Sequence, residues 1–198
     1  MRDFILGTDS RRTGCEDAMA VRMNRWTSPG DIPKEYVLCW RSPLGAMILT
    51  SDGEFLTGLR FCETGECVSA PPPCGRNLSQ VFEETLRWLD IYFSGRVPSF
   101  VPNLTVRASD FRKTVWDIVR TIPYGRTASY GEIAAETARR TGRARVSAQA
   151  VGGAVGRNPF LLMIPCHRVI GADGSLTGYA GGLDRKKRLL ALEGVVLR

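Results

Sequence analysis

The pattern of apolar and polar positions changes character along the 198-residue chain. Residues 1–35 hold no sustained period and read as an N-terminal extension, partly ordered at best. From Tyr36 onward, "YVLCWRSPLGAMILTSDGEFLTGLRFC" predicts three short strands separated by the turn sequences "SPLG" and "SDGE". The Pro- and Gly-rich "ETGECVSAPPPCGRN" predicts loop. In "LSQVFEETLRWLDIYFSG", Phe82, Leu86, Leu89 and Phe93 recur at helical spacing, with Ser79 as N-cap and Gly95 just past the end. A small antiparallel sheet with one helix packed on it accounts for this half.

"RVPSFVPNLTV" carries two prolines and no helical period, so it reads as a connector. It divides a domain over residues 36–104 from a second over 105–198. The second half is mainly helical. "SDFRKTVWDIVRTI" places Phe111, Val115, Ile118, Val119 and Ile122 on one face, with Ser109 or Asp110 as N-cap. "PYGRTAS" breaks that helix and "YGEIAAETARR" begins another. After the turn "TGRAR", "VSAQAVGGAVGRN" makes a third, with Val151 and Val155 on one side. Its interior Gly152 and Gly153 cost roughly 2 kcal/mol relative to alanines. Either tight helix packing or a surface pressed against a polymer would explain them. Three short helices with a basic turn resemble a helix-turn-helix, in which backbone amides and arginines hold phosphates.

Composition narrows the classes. The chain is 43% hydrophobic and 24% charged, and no apolar run approaches the ~20 residues that span a bilayer. The N-terminus lacks the apolar core of a secretory signal, so a cytoplasmic, membrane-free protein is expected. The formal charge is +7, and "TARRTGRARVS" holds four arginines and no acid. A solvated basic face and a nucleic-acid surface both fit that charge. The six cysteines are expected as free thiols in a reducing compartment. The series Cys39, Cys62, Cys67 and Cys74, with Cys15 further out, has poor zinc spacing, so no metal is expected.

The chemistry concentrates in "LLMIPCHRVIG", where Cys166 abuts His167, the one histidine of the chain. An imidazole can deprotonate a thiol, and an acid behind it can fix the tautomer. Adjacent side chains in an extended segment point apart, so the pair needs a turn or a bridging water. The glycine-rich loop "GYAGG" presents a single tyrosine, which suits a planar guest. The last helix, Leu183 to Glu193, turns Leu189, Leu190 and Leu192 inward, and both Asp184 and Glu193 are candidates for the third member.

Four motifs, "TIPYGRTASYGEIA", "VGGAVGRNP", "IPCHRVIG" and "GYAGGLDRKKRLLALEG", resemble in this order the O6-alkylguanine-DNA alkyltransferases, or methylated-DNA–protein-cysteine methyltransferases. The likeness is close over residues ~105–195 and looser through "SPLGAMILTSDGEFLTGLRF". It implies an α+β protein: a small ribonuclease H-like sheet with a helix, then a winged helix-turn-helix-like domain carrying the active site. It further implies direct-reversal DNA repair, with the alkyl group moving once and irreversibly from O6-alkylguanine, or O4-alkylthymine, to Cys166. No cofactor is implied, and the partner is double-stranded DNA bound by a monomer. His167 would be the base acting through water and Glu193 would orient it. Asn158 would brace the Cys166 segment, and Tyr130 would press on the target phosphate and donate to the leaving guanine. Tyr179, Ala180, Gly181, Val155 and the backbone of Val169 would line the base pocket. Ser147, Ala148, Gln149, Gly152, Arg143, Arg145 and Arg157 would meet DNA.

Two positions depart from the family pattern. Gln149 stands where an arginine finger is common, and Ala180 stands where a serine often adds a hydroxyl beside the pocket tyrosine. The resemblance then implies that Gln149 fills the gap left by the flipped base while Arg143 and Arg145 supply phosphate affinity. A lesion-binding protein without transfer and a Cys-His hydrolase or redox protein are the alternatives. The first sits poorly with Cys166, His167 and Glu193 together, and the second with the lack of an oxyanion site or resolving cysteine.

Overall fold

The computed structural model describes residues 18–21, 35–62 and 76–196. Strands β2 (Tyr36–Ser42), β3 (Gly45–Ser51) and β4 (Leu56–Phe61) form an antiparallel meander. A fourth strand, β1 (Ala18–Val21), pairs with β2. It comes from the stretch read as an extension, where four residues are too few to show a period. In register, Leu38 faces Leu49 and Leu49 faces Leu59, while Trp40, Met47 and Phe61 align beside them. These side chains are buried with Phe82, Trp88, Leu89 and Tyr92 of helix α1 (Arg76–Phe93). Alternation over a half-buried sheet thus produces the layer that the pattern predicts.

Helix α1 begins at Arg76, so Ser79 lies inside it and is not the N-cap. Nothing between Arg76 and Ser79 breaks a helix, so the backbone continues N-terminally past the serine. At the other end Gly95 adopts φ +78°. Its N–H donates to the Tyr92 carbonyl at 3.0 Å, and that of Arg96 to Ile91 at 3.3 Å, a Schellman closure that explains the glycine.

The second half begins with α2 (Asp110–Arg120), capped by Ser109 through its extended backbone, without a side-chain bond. Strand β5 (Ala128–Ser129) leads into α3 (Tyr130–Thr141), where Ser129 and Glu132 form a reciprocal capping box; left-handed Gly142 ends the helix. Helix α4 (Ala148–Val155) follows, with Ser147 accepting from the Ala150 N–H. The Trp116 indole donates to the Ala154 carbonyl at 2.9 Å, tying α2 to α4. Strand β6 (Val169–Ile170) pairs in parallel with β5, and α5 (Leu183–Leu192) closes the chain.

Residues 158–168 do not form a core strand. They run parallel to β4, with Leu59 N–H donating to Pro159 and Leu161 N–H donating to Leu59, both at 2.8 Å. They then turn through Leu162 at φ +73° and enter one 3-10 turn, Cys166–Arg168. A leucine in the left-handed region costs on the order of 1–2 kcal/mol. The strain sits four residues before Cys166 and is held by complete burial among Phe160, Leu161 and Ile164. The sheet therefore fixes the segment that presents the cysteine. No helix among the described residues is long and apolar enough to cross a membrane.

Candidate active site

The 3-10 turn resolves the adjacency of Cys166 and His167 by carrying their side chains to different sides of one buried corner. Cys166 is 2% exposed and His167 is fully buried. Asn158 spends its whole amide here. Its Nδ2 donates to the Ile164 carbonyl at 2.7 Å and to Cys166 Sγ at 3.0 Å, and its Oδ1 accepts from Phe160 N–H at 2.9 Å. The same amide thus shapes the turn and touches the sulfur. Burial pushes the Cys166 thiol up to about 11, against the pull of the Asn158 bond and of the Lys186 charge. The resting residue is a protonated thiol that needs a base.

His167 beside it is held in neutral form. Burial lowers its pKa, and the hydrogen bond to Glu193 only partly offsets this. Its Nε2 lies 2.7 Å from Glu193 Oε1. Its Nδ1 is buried and meets no protein partner. Since an ionised carboxylate only accepts, Nε2 carries the hydrogen and Nδ1 keeps its lone pair. Glu193 caps α5. Burial pushes its carboxyl up, but the bonds from His167 and Arg168 outweigh that and hold it at about 2. Asp184 is exposed in the first turn of α5 and takes no part.

Several groups of this corner escaped the sequence reading. Arg168 grips Glu193 through Nε at 2.8 Å and Nη2 at 2.9 Å, and donates Nη1 to Ile122 at 2.7 Å. The Gly125 N–H donates to Glu193 Oε2 at 3.2 Å. At φ +72°, with a Cβ there falling 2.9 Å from the Glu193 carbonyl, only glycine fits this position. Tyr92 of α1 donates its hydroxyl to Glu193 Oε1 at 2.7 Å. Lys186, also fully buried, donates to the carbonyls of Val169 at 2.6 Å and Thr177 at 2.8 Å. Burial lowers its pKa to about 8. A lysine amid a leucine-bearing helix face is the one sequence signal that pointed to any of these.

Beside Cys166 lies a cavity of about 210 Å³ lined by Tyr130, Gly152, Val155, Gly156, Gly178, Tyr179 and Ala180. It exceeds the tens of Å³ that one water occupies. Tyr130 donates to the Thr177 carbonyl at 3.2 Å across its mouth. The Tyr179 hydroxyl is buried with no protein partner. Two expected pocket residues lie outside this lining. Val169 is fully buried, with its carbonyl already held by Lys186. Gly181 is wedged where a Cβ would fall 2.5 Å from the Tyr179 ring and 2.8 Å from Phe61. Arg185 clamps this loop to the sheet through the carbonyls of Gly181 and Leu44, its guanidinium 4.5 Å from the Phe61 ring centre.

Of the expected DNA-facing residues, Arg143, Arg145, Ser147, Ala148, Gln149 and Arg157 are exposed and Gly152 is half-buried. Arg143, Arg145, Ser147 and Ala148 line a shallow groove along α3 with Arg139, and Gln149 projects from α4. The structure gives several of them second tasks. Ser147 is the helix cap, Arg143 lies 5.6 Å over the Phe111 ring, and Arg157 donates to the Gly153 carbonyl at 3.1 Å. Added Cβ atoms at Gly152 and Gly153 would come no nearer than 3.8 and 3.6 Å to other groups. Internal packing therefore does not demand either glycine. Among the described residues Cys39 and Cys166 are free thiols, and no cluster of His, Cys, Asp and Glu could hold a metal ion. Cys15, Cys67 and Cys74 lie outside the described residues.

Comparison with known proteins agrees over both halves. Residues 36–105 match the ribonuclease-like domain of 6-O-methylguanine DNA methyltransferase, and residues 110–195 match its DNA binding domain. A methylated-DNA–protein-cysteine methyltransferase of Methanosarcina acetivorans is 42% identical over 80% of this chain and 98% of its own. One from Mycolicibacterium paratuberculosis is 44% identical over 77% of this chain and 88% of its own. Among solved structures, the Mycobacterium tuberculosis OGT in complex with DNA superposes with a TM-score of 0.64. It is 44% identical and covers 78% of this chain and 90% of its own. With both domain types matched in order, the chain belongs to the 6-O-methylguanine DNA methyltransferase family, proteins that repair methylated DNA by taking the methyl group onto a cysteine of their own.

Proposed function

We propose that Cys166 is the acceptor cysteine, that the cavity beside it receives an O6-alkylguanine turned out of the duplex, and that the protein acts once, as a monomer. The observation that carries this reading is the line from Asn158 through Cys166 to the pocket. A buried thiol with one amide donor opens onto a cavity ringed by Tyr130, Tyr179 and small residues. A base can reach it only by leaving the stack, at a cost of a few kcal/mol.

In the transfer, the thiol proton passes through a water to the free Nδ1 of His167, and the sulfur attacks the alkyl carbon. The carbon–O6 bond breaks with its electron pair going to the purine. The imidazolium rests against Glu193 while the Tyr130 hydroxyl donates to the leaving guanine. Net, a thiol and an alkylguanine become a thioether and guanine: the proton taken by His167 is passed on to the purine, and His167 and Tyr130 end neutral. A thioether is not returned to a thiol by this chemistry, so each molecule is spent. The glycine-bare side of α4, with Gln149 at its start, faces the duplex, and Arg143, Arg145 and Arg157 contact phosphates. With Ala180 adding no hydroxyl, the pocket offers backbone donors and Tyr130 to O6-substituted purine.

The test is to incubate the protein with excess methylated duplex, digest it, and weigh the Cys166 peptide. A lasting gain of one methyl group, with one guanine restored per molecule, is expected. Lesion binding with unchanged mass, or product beyond one equivalent, overturns the proposal.

A further inference from the structure

The relay atom Glu193 Oε1 receives a donor from the other half of the molecule. Tyr92 sits on α1, whose remaining inward residues pack on the sheet, and it is 1% exposed. Its ring stacks on Trp88 at 5.4 Å and meets the edges of Phe93 and Tyr124, so the hydroxyl has one reachable position. From there it donates to Glu193 Oε1 at 2.7 Å, and its oxygen lies 3.2 Å from His167 Nε2. With its hydrogen committed to the carboxylate, that oxygen offers only lone pairs to the imidazole. Both groups facing Nε2 are therefore acceptors, and the hydrogen on Nε2 is shared between them.

We propose that Tyr92 is a positioning residue for alkyl transfer: its hydroxyl, brought by the N-terminal sheet-and-helix half, holds His167 in the Nε2–H form and tempers the carboxylate that pulls on it. The inference rests on the relay reading above. Oε1 is shared by three donors, Tyr92, His167 and Arg168 Nη2. An acceptor divided among more donors binds each less strongly. Removing Tyr92 returns electron density to the imidazole's bond and favours the imidazolium. The charged and titratable groups facing the ring from every side are Glu193 and Lys186 of α5, Arg168 and Cys166 of the turn, Tyr92 of α1 and Tyr179 of the pocket loop. Among the described residues that donate to Glu193, Tyr92 alone comes from the first half of the chain.

Tyr92→Phe removes one oxygen and keeps the ring contacts. Because the chain holds a single histidine, its ring nitrogens can be followed by nitrogen-15 NMR without ambiguity, alongside single-turnover transfer rates from pH 5.5 to 9. In the variant the acid limb of the rate and the imidazole titration should both rise by about half a pH unit. That is roughly a threefold loss at acidic pH with little change at alkaline pH. A uniform loss across pH, or unchanged ring signals, overturns the proposal. In the unaltered protein the Tyr92 hydroxyl proton should shift in step with the histidine titration; independence of the two also overturns it. The relay reading fails separately, if the unaltered protein shows hydrogen on Nδ1. Hydrogen on Nε2 with an indifferent Tyr92→Phe sinks the Tyr92 inference alone.

Discussion

The corner around His167 and the flank around Gln149 lie in the same half of the chain and are built on opposite terms. In the corner, Cys166, His167, Arg168, Lys186 and Glu193 are all buried, and Glu193 alone accepts from Tyr92, Gly125, His167 and Arg168. On the flank, Arg143, Arg145, Ala148 and Gln149 are exposed, and α4 offers glycines that its own packing does not require. Groups in the first region depend on one another, because a buried polar atom that loses its partner keeps its desolvation cost. Groups in the second act in water, where each contributes a screened and nearly separate share. Chemistry and affinity should therefore respond to different substitutions.

The sharpest way to break that separation is Glu193→Gln. It leaves the Arg168 guanidinium buried without a charge partner, and should cost about 3–5 kcal/mol of stability. Transfer should slow by roughly a hundredfold or more through loss of the assisted proton step. Thermal melts and single-turnover rates check both; a stable, fully active variant would undo the account of the corner. Next in size, Asn158→Ala removes the donor to Cys166 Sγ, leaves the Phe160 N–H unpaired, and leaves the Ile164 carbonyl with the Cys166 N–H alone. A loss of about 1–3 kcal/mol is expected, with transfer from a free base falling alongside.

Acid should loosen the corner in two stages. The pKa of His167 is lowered by folding, so the unfolded chain binds the extra proton and stability declines once pH falls below the unfolded value of about 6.5. Glu193 is also held down, at about 2. Its contribution is complete above the unfolded carboxylate value of ~4.3 and is lost as pH falls from there through about 2. Denaturant titrations between pH 3 and 8 should show both declines, and a flat profile would contradict the burial assigned to these groups.

The smallest effects belong to the flank. Arg145→Ala should weaken duplex binding a few-fold and reduce the salt slope by about one, since one phosphate contact is lost. Gln149→Arg should raise affinity and steepen the slope. Neither should alter transfer from free O6-benzylguanine, and equal changes in binding and transfer would erase the contrast between the regions.

The two regions were also unequally legible in the sequence. Helices α2, α3 and α4 showed through their periods and caps, because such signals are local: Ser129 and Glu132 cap α3 from three residues apart. The cysteine–histidine pair was visible for the same reason. Tyr92 was not, since on α1 it reads as one more apolar ring beside Leu89 and Phe93, and its partner Glu193 is 101 residues away. Arg168 follows the pair directly in sequence, yet nothing local marks that the turn folds it inward onto Glu193. Ser79 misled because a good capping residue also sits without penalty inside a helix when nothing ahead of it stops the backbone. Strand β1 was silent because four residues paired on one edge leave no period. The strand-like run before Cys166 hid the turn at Leu162, whose left-handed backbone no leucine advertises.

The account stands most directly on the pH dependence of transfer from free O6-benzylguanine, a substrate that needs the corner and bypasses the flank. If His167 takes the proton from a thiol whose own value lies near 11, the rate should fall in acid as the imidazole charges, at a pH lower than the ordinary imidazole value of about 6.5, and run level above that. A rate that instead climbs tenfold per pH unit toward pH 11 would mean that free thiolate does the work, and would contradict the buried relay.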